Sequence, residues 1–275
     1  PEDDPWNFWV FSVRLGGFFR GESSTRSNRV NGNISANRTT EEWKVRTSIG
    51  GSWSEDEFDV GEETVRSDSR NLNSSLTVVK SLGDRWSAGI RGSAASSTFR
   101  NQNLAVSAAP AVEWSFFPYE ESSQRQLTLQ YRMGPSYFDY EERTIFDQTR
   151  ETRFDQTLTL SLGLRQPWGS VSTSLEGANF LDDFQQNHLS LSGNADFRLF
   201  RGFSLDVFGS YSRIRDRIFI AAEGATEEEV LLRRRQLDTQ FSYFVNIGFR
   251  YTFGSIYNNV VNPRLERSGG GPVFF

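Results

Sequence analysis

The chain is dominated by segments in which apolar and polar residues alternate. In the stretch 237–254, LDTQFSYFVNIGFRYTFG, the odd positions are apolar or aromatic except for Thr239, and the even positions are polar or small except for Phe244. A period of two places successive side chains on opposite faces of a strand. The alternation continues for about seventeen residues, roughly three times the length of a typical strand. It predicts one long strand with an apolar face.

The same alternation recurs along the whole chain and predicts twelve strands. The predicted segments are 9–20, 30–36, 43–53, 72–78, 86–94, 104–116, 127–133, 154–164, 171–177, 189–199, 203–211 and 237–254. Mean hydropathy is -0.54, which by itself is typical of a soluble protein. The chain contains no run of eighteen apolar residues, so a transmembrane helix is excluded. Ser, Thr, Gly, Phe and Arg are plentiful and helical periodicity is absent, so the composition favours an all-β fold.

The connections between the predicted strands alternate in length. Those after even-numbered strands are short: 37–42, 80–84, 118–124, 165–169 and 199–202. Those after odd-numbered strands are longer or more charged: 54–69, 137–153 and 213–235. Short turns at one end and long polar loops at the other are expected of a transmembrane β-barrel, whereas a soluble sandwich has no reason to segregate its loops in this way.

Aromatic residues collect at the short-turn end, in the apolar register. The predicted girdle consists of Trp9, Trp43, Trp86, Trp114, Trp168, Phe203, Tyr251 and Phe253. Amphipathic rings are favoured where hydrocarbon meets headgroups, so this row indicates a membrane interface. Phe19, Trp53, Tyr137 and Tyr211 are candidates for a second girdle at the other interface.

The predicted fold is therefore an all-β, transmembrane, antiparallel up-and-down β-barrel of about twelve strands, with short periplasmic turns and long extracellular loops. A spanning strand needs about nine to eleven residues, and closure of the ring satisfies every backbone amide within hydrocarbon. The predicted domain is 1–254, and residues 255–275 form a periplasmic C-terminal tail. We expect a chain without this tail to insert as a barrel.

The last predicted strand carries a motif that is typical of one class of protein. The segment NIGFRYTF, residues 246–253, resembles the C-terminal assembly signal of bacterial outer-membrane β-barrels, on Asn246, Gly248, Tyr251 and Phe253. The resemblance covers residues 7–254 and implies insertion by the outer-membrane assembly machinery and location in the bacterial outer membrane. Such barrels usually end at the last aromatic residue, whereas this chain continues for a further segment. No subfamily is identified.

The opposite register of each strand predicts the lining of a lumen. Its charged members are Arg14, Arg46, Arg91, Arg132, Arg165, Arg198 and Arg250, with Glu113, Asp155, Glu176, Asp196, Asp206 and Asp238 as candidate partners. A twelve-strand ring is wider than the eight-strand barrels that side chains fill and narrower than a sixteen-strand porin. Two interpretations stay open: a structural ladder of charges that keeps the interior solvated, and a pore for small solutes lined by the arginines.

Three functions are compatible with these patterns. The first is a narrow channel for ions or small polar solutes, and the second is a structural subunit of an outer-membrane complex that docks partners through its loops and tail. The third and least favoured is an esterase or phospholipase, because His188, Ser190 and Asn194 resemble the catalytic set of outer-membrane phospholipase A. Their register places them toward the lumen, away from lipid. We therefore predict that the protein is not an enzyme.

Partners follow from charge and from the ends of the chain. Arginine outnumbers lysine 28 to 2, which suits pairing with lipid phosphates, including those of lipopolysaccharide. A net charge of -5 gives no broad attraction to nucleic acid. The apolar tail residues Ile256, Tyr257, Val273, Phe274 and Phe275 are predicted to contact a protein partner or the periplasmic mouth. The loop 226–235 has the capping-box spacing of a short helix, and the alternative is that the two flanking strands continue past the membrane as a ribbon. No cofactor and no metal site are predicted, since the chain has no cysteine and no spaced set of oxygen ligands.

Overall fold

The protein is described by a computed structural model that covers residues 4–60, 63–222, 224 and 240–254. Twelve strands account for most of these residues. They are β1 (Trp9–Gly21), β2 (Thr25–Thr39), β3 (Trp43–Val60), β4 (Glu63–Ser81), β5 (Trp86–Ser97), β6 (Gln102–Ser115), β7 (Arg125–Tyr140), β8 (Arg150–Gln166), β9 (Gly169–Phe180), β10 (Asn187–Phe200), β11 (Phe203–Ile214) and β12 (Phe241–Tyr251). A 3₁₀ turn, Tyr119–Glu121, lies between β6 and β7. The described residues include no helix long and apolar enough to cross a membrane.

All twelve strands form one antiparallel sheet in sequence order, from β1 to β12. Each strand pairs with the next, so every connection is a hairpin and the topology is up-and-down. The predicted number of strands, their order along the chain and the all-β class are confirmed. Among the described strands, β1 pairs with β2 and β12 pairs with β11. Closure of the ring by pairing of β1 with β12 stays a prediction. It is expected because every backbone amide within lipid needs a hydrogen-bond partner.

Two of the predicted long loops are shorter than expected because strands continue into them. The prediction of a loop at 54–69 is wrong: β3 and β4 stay paired from Trp43↔Lys80 as far as Val60↔Glu63. These strands contain 18 and 19 residues, about twice what a membrane requires, so they extend beyond it as a ribbon. The ribbon is polar and charged, and backbone hydrogen bonds between β3 and β4 continue along its whole length.

The loop predicted at 137–153 is reduced to residues 141–149 by the ends of β7 and β8. After β11, the segment 215–222 has no strand pairing except a single bridge between Thr144 and Ala221. The predicted helix at 226–235, Asp238 and the tail 255–275 lie outside the described residues. The final strand, predicted over 237–254, comprises 11 residues, Phe241–Tyr251.

Burial in this sheet is inverted relative to a soluble protein. The buried strand residues are mostly small and polar, and cross-strand pairing places them on the face that carries the arginines: Ser67, Ser87, Ala109, Ser115, Thr128, Ser136 and Thr157 are all 7% exposed or less. The opposite face exposes large apolar side chains, for example Leu72 at 61% and Ile49 at 60%. The polar face is therefore the inside of the curled sheet, and the apolar face is the outside. In water, that outside surface is far larger than the apolar patches of a soluble monomer.

The predicted girdle residues lie together at the short-turn end of the outer face. Trp86 and Trp114 are directly opposite each other on β5 and β6, with ring centroids 6.3 Å apart. Phe203 and Tyr251 are opposite each other on β11 and β12, 6.1 Å apart, and Phe253 stacks on Tyr251 at 5.2 Å. Trp9, Trp43 and Trp168 occupy the same end of β1, β3 and β9. Contact of this belt with a membrane interface stays a prediction.

We expect removal of residues 255–275 to leave a barrel that still folds and inserts. The reason is that β12 completes its pairing with β11 at Phe203↔Tyr251, before the tail begins. The measurement is the migration on a denaturing gel after refolding into lipid vesicles. A difference between unheated and heated samples of the same protein indicates a folded barrel, and the full chain is the reference. A truncated chain that never gains heat-modifiable migration would show that the final strand or the domain boundary is assigned wrongly.

Candidate functional site: the inner face

The pairing register places the predicted lumenal residues on one face of the sheet. Arg46, Thr77 and Arg91 are consecutive partners across β3, β4 and β5. Arg132 lies between Ala111 and Thr157, and Arg250 pairs with Ser204. The remaining members share this face through similar partners: Arg14, Arg165, Arg198, Glu113, Glu176, Asp196 and Asp206. That they line a lumen stays a prediction.

Four of the carboxylates predicted to face the lumen accept hydrogen bonds from neutral groups. Glu113 accepts from Gln130 Nε2 at 3.2 Å and from Tyr119 Oη at 3.3 Å. Asp155 accepts from Ser136 Oγ at 2.5 Å, and Glu176 accepts from Thr159 Oγ1 at 3.3 Å. Asp196 accepts from Ser170 Oγ at 3.2 Å. These neutral donors replace hydrogen bonds that the carboxylates would otherwise make with water, and they do not neutralise the charge of any arginine.

The seven arginines predicted to line the lumen are not paired with carboxylates in the part of the chain that the structure describes. The ion pairs found there involve other arginines and His188: Arg20–Glu22, Arg26–Glu57, Arg66–Glu57, Arg125–Glu121, Arg143–Asp147, Arg150–Asp139, Arg153–Glu151, Arg153–Asp182 and His188–Asp216. Most of these lie at strand ends and in connections. Arg132 even has a buried Nε without a hydrogen-bond partner among the described residues. Arg153, opposite Ser136 on the same face, is paired with Glu151. A structural ladder of charges would neutralise the seven predicted lumenal arginines as well, and they are not neutralised in this way.

At the long-loop end, a segment crosses the mouth of the sheet. The mouth segment, residues 215–222, leaves β11 and reaches the β7–β8 connection, where Ile145 N donates to Ile220 O at 2.9 Å and Ala222 N donates to Arg143 O at 2.8 Å. Three strands, β8 to β10, separate β7 from β11. The segment therefore spans the opening instead of closing one hairpin. Ile218, at its centre, is 2% exposed.

Asn101, in the β5–β6 connection, holds the mouth segment from the far side. Its Nδ2 donates to Phe219 O at 3.2 Å and to Glu142 O at 2.9 Å, and its Oδ1 accepts from Glu142 N at 2.7 Å. Its φ of 53° lies in the left-handed region, which asparagine tolerates better than most residues. Asn101 thus links three connections that are distant in sequence. Sequence reasoning missed this residue, because only its neighbours in space distinguish it from other loop asparagines.

His188 and Ser190 lie on the inner face, as their register predicts. His188 Nδ1 is 3.2 Å from Asp216 Oδ2 in the mouth segment. Ser190 Oγ accepts from Ser212 Oγ at 3.4 Å, and Asn194 lies farther along β10, opposite Phe208. No hydrogen bond joins His188 to Ser190 among the described residues. The histidine therefore anchors the mouth segment, and the arrangement provides no activated serine facing lipid.

At the short-turn end, the inner face contains a cavity of about 420 Å³ bounded by residues of β2 to β7. It contains Lys44, Arg46, Arg91 and Glu113, and the 3₁₀ turn contributes Tyr119 to its wall. Burial raises the pKa of Tyr119 above its ordinary value, so the phenol stays protonated and is shared between Glu113 and Ser87, each 3.3 Å away. A second cavity of about 420 Å³ lies beside β10 and combines Arg165 and Arg198 with Asp196 and Asp206.

No protein-family model matches the chain. No curated protein matches it in sequence. Solved structures that resemble it include the NanC porin, at 9% identity over 88% of this chain and 99% of the other, with a TM-score of 0.40. The CymD monoaromatic hydrocarbon channel is 11% identical over 89% of this chain and 80% of the other, with a TM-score of 0.41. The translocator domain of the autotransporter NalP from Neisseria meningitidis is 11% identical over 89% and 87%, with a TM-score of 0.31.

Similarity of this degree does not establish a shared topology. The fold class rests instead on this chain's own strand order, its antiparallel hairpins and its inverted burial. The architecture is an up-and-down sheet with an apolar exterior. Among the described residues, no group of three or more His, Asp or Glu side chains is placed to hold a metal ion.

Proposed function

We propose that the protein is an integral outer-membrane β-barrel that acts as a narrow channel for ions or small polar solutes. The observation that carries the proposal is the set of seven predicted lumenal arginines, none of which has a carboxylate partner in the described part of the chain. An arginine that is desolvated without a partner is costly, so these guanidinium groups need water or a passing anion. A hydrated, positively lined interior is the simplest environment that provides both.

Location in the outer membrane is part of this proposal. Its support is the exposed apolar face, the aromatic belt at the short-turn end and the assembly-signal motif that ends at Tyr251 and Phe253. Strands of 11 to 19 residues are long enough to span the hydrocarbon. Lipids, lipopolysaccharide and the assembly machinery are the partners that this location implies.

The test is the electrical behaviour of the full chain, refolded from detergent and added to planar lipid bilayers in potassium chloride. We expect discrete current steps, with a reversal potential under a salt gradient that favours chloride, because the seven predicted lumenal arginines outnumber the five described carboxylates of the same set, Glu113, Asp155, Glu176, Asp196 and Asp206. Protein of confirmed heat-modifiable migration that inserts without any current would contradict the channel. The control for nonspecific damage uses vesicles that contain an entrapped dye. Inserted protein should not release this dye.

The alternative function is a structural subunit that docks partners through its loops and the tail residues Ile256, Tyr257, Val273, Phe274 and Phe275. These tail residues lie outside the described part of the chain, and no contact that the structure describes favours this function over the channel. Stoichiometric copurification of neighbouring proteins in detergent, lost on removal of 255–275, is the result that would favour it.

A further inference from the structure

The cavity at the short-turn end has more cationic than anionic side chains. Lys44, Arg46 and Arg91 supply three cations, and Glu113 supplies one anion. The second cavity, by contrast, balances Arg165 and Arg198 with Asp196 and Asp206. Both cavities are of similar size, so the difference is one of charge and not of volume.

The cations of this cavity are placed to act on one small molecule. Arg46 and Arg91 are both opposite Thr77, so they lie two strands apart, at about 10 Å between backbones. Lys44 lies two residues before Arg46 on the same face of β3. Their side chains are long enough to converge over Thr77 from both sides. None of the three has an ion pair within the described residues.

Small side chains leave the space between these cations open. Gly89 and Ala111 are opposite each other on β5 and β6, and both belong to the cavity wall. A larger residue at position 111 would occupy cavity volume, whereas a Cβ at Gly89 would lie 2.2 Å from Val78 O, so the glycine also permits the close approach of β4. The cavity of about 420 Å³ lies within the range of about 300 to 1,000 Å³ that small-molecule sites occupy.

The single acid of the cavity does not neutralise the cations. Both oxygens of Glu113, which lies on β6, three strands along from Arg46 on β3, accept hydrogen bonds, from Tyr119 and from Gln130. Glu113 is therefore oriented by neutral donors on its own side. The positive charge of Lys44, Arg46 and Arg91 stays available to a ligand.

We propose that this cavity is a binding site for a small organic or inorganic oxyanion, a carboxylate or a phosphate, held by Arg46 and Arg91. A guanidinium presents two parallel N–H donors that match the two oxygens of either group, and Lys44 adds a point charge. Hydroxyl groups of Ser87 and Tyr119 complete the polar wall. The inference deepens the proposed channel function and rests on it for passage of the anion, while binding is measurable without any current.

Binding is tested by isothermal titration calorimetry on the full chain folded in detergent, with sodium succinate and sodium phosphate as separate probes. The test variant is Arg46→Gln/Arg91→Gln. The control is Arg14→Gln/Arg250→Gln, which removes the same charge from the inner face of β1 and β12, away from the cavity. We expect the test variant to lose at least tenfold in affinity, because each bidentate charge-assisted contact is stronger than an ordinary hydrogen bond, and the control to change less than twofold.

A second variant, Ala111→Leu, fills the cavity while keeping every charge. It is expected to lose affinity as well, and heat-modifiable migration of each variant verifies its fold. Equal binding of both probes assigns a general oxyanion site, and preference for one probe assigns carboxylate or phosphate. Failure of both probes to bind, or an equal loss in the control variant, overturns the site.

Current measurements separate this site from the channel itself. If succinate reduces chloride current in the original chain, and the test variant requires at least ten times more succinate for the same reduction, both inferences are supported. Current without any effect of succinate or phosphate overturns the site and leaves the channel. Calorimetric binding in a protein that never conducts supports the site and overturns the channel.

Discussion

Ile49→Arg is expected to prevent most of the protein from folding into lipid vesicles. Ile49 lies on the outer face of β3, 60% exposed, between the aromatic residues Trp43 and Trp53. If those two residues mark the membrane interfaces, Ile49 is near the bilayer midplane. An arginine at that depth costs about 2 to 4 kcal/mol in a transmembrane barrel. The measurement is the folded fraction by heat-modifiable migration, and the free energy of unfolding from urea titration in vesicles.

Ser48→Arg is the matched control, since Ser48 is the adjacent residue on the inner face. This change loses only the hydrogen bond between Ser48 Oγ and Ser75 Oγ, 2.8 Å apart. Such a bond contributes about 0.5 to 1.5 kcal/mol, and the new guanidinium would lie in water. If both variants fold equally well, the outer face does not contact lipid. If Ser48→Arg is the more damaging of the two, inside and outside have been assigned in reverse.

Thr144→Cys/Ala221→Cys is expected to make current through the protein depend on redox conditions. Thr144 and Ala221 form the single bridge between the β7–β8 connection and the mouth segment. The flanking hydrogen bonds, Ile145 N to Ile220 O and Ala222 N to Arg143 O, show that this is a non-hydrogen-bonded antiparallel pair. In such pairs the Cα atoms are about 4.5 Å apart, within the range that a disulfide accepts. The chain has no other cysteine, so no competing disulfide forms.

Oxidation would fix the mouth segment over the opening and lower the open-state conductance, and dithiothreitol would restore it. Each single cysteine variant is a control and is expected to ignore both reagents. Asn101→Gly acts in the opposite direction, because it removes three side-chain hydrogen bonds while glycine keeps the φ of 53°. Only the bond to Phe219 O joins Asn101 to the mouth segment directly. Such a bond contributes about 0.5 to 1.5 kcal/mol, so the open fraction is expected to rise about twofold to tenfold. Conductance that is identical in all these variants would show that the mouth segment does not obstruct the pathway.

The period-two pattern predicted the strands well because each has one apolar and one polar face. Every predicted segment lies within or overlaps one observed strand, even the weak segment at 30–36 in β2. The ends were less accurate. The loop predicted at 54–69 was wrong, since charged residues such as Glu57 occur equally in a polar loop and in a ribbon beyond the membrane. Arg26 and Arg66 flank Glu57 across β2 and β4, and only the register shows that these ion pairs stabilise strands.

The candidate site divides in the same way. Which face Arg46 and Arg91 occupy follows from their positions in the alternation. That they share one cavity with Lys44, and that Glu113 accepts its hydrogen bonds from Tyr119 and Gln130, depends on how neighbouring strands are aligned. Alignment between strands is set by turns and by side-chain pairs far apart in sequence. A one-residue change of register would move each of these side chains to the other face.

By itself, the sequence determined the number of strands, the apolar exterior, the polar interior and the aromatic belt, because each is a property of the alternation within a single segment. Only the tertiary structure decided that the seven predicted lumenal arginines lack carboxylate partners among the described residues, and that the mouth segment contacts Asn101. Those features depend on distances between strands that the chain brings together. Local alternation specifies the face on which a side chain lies, and the aligned sheet specifies which other side chains it meets there.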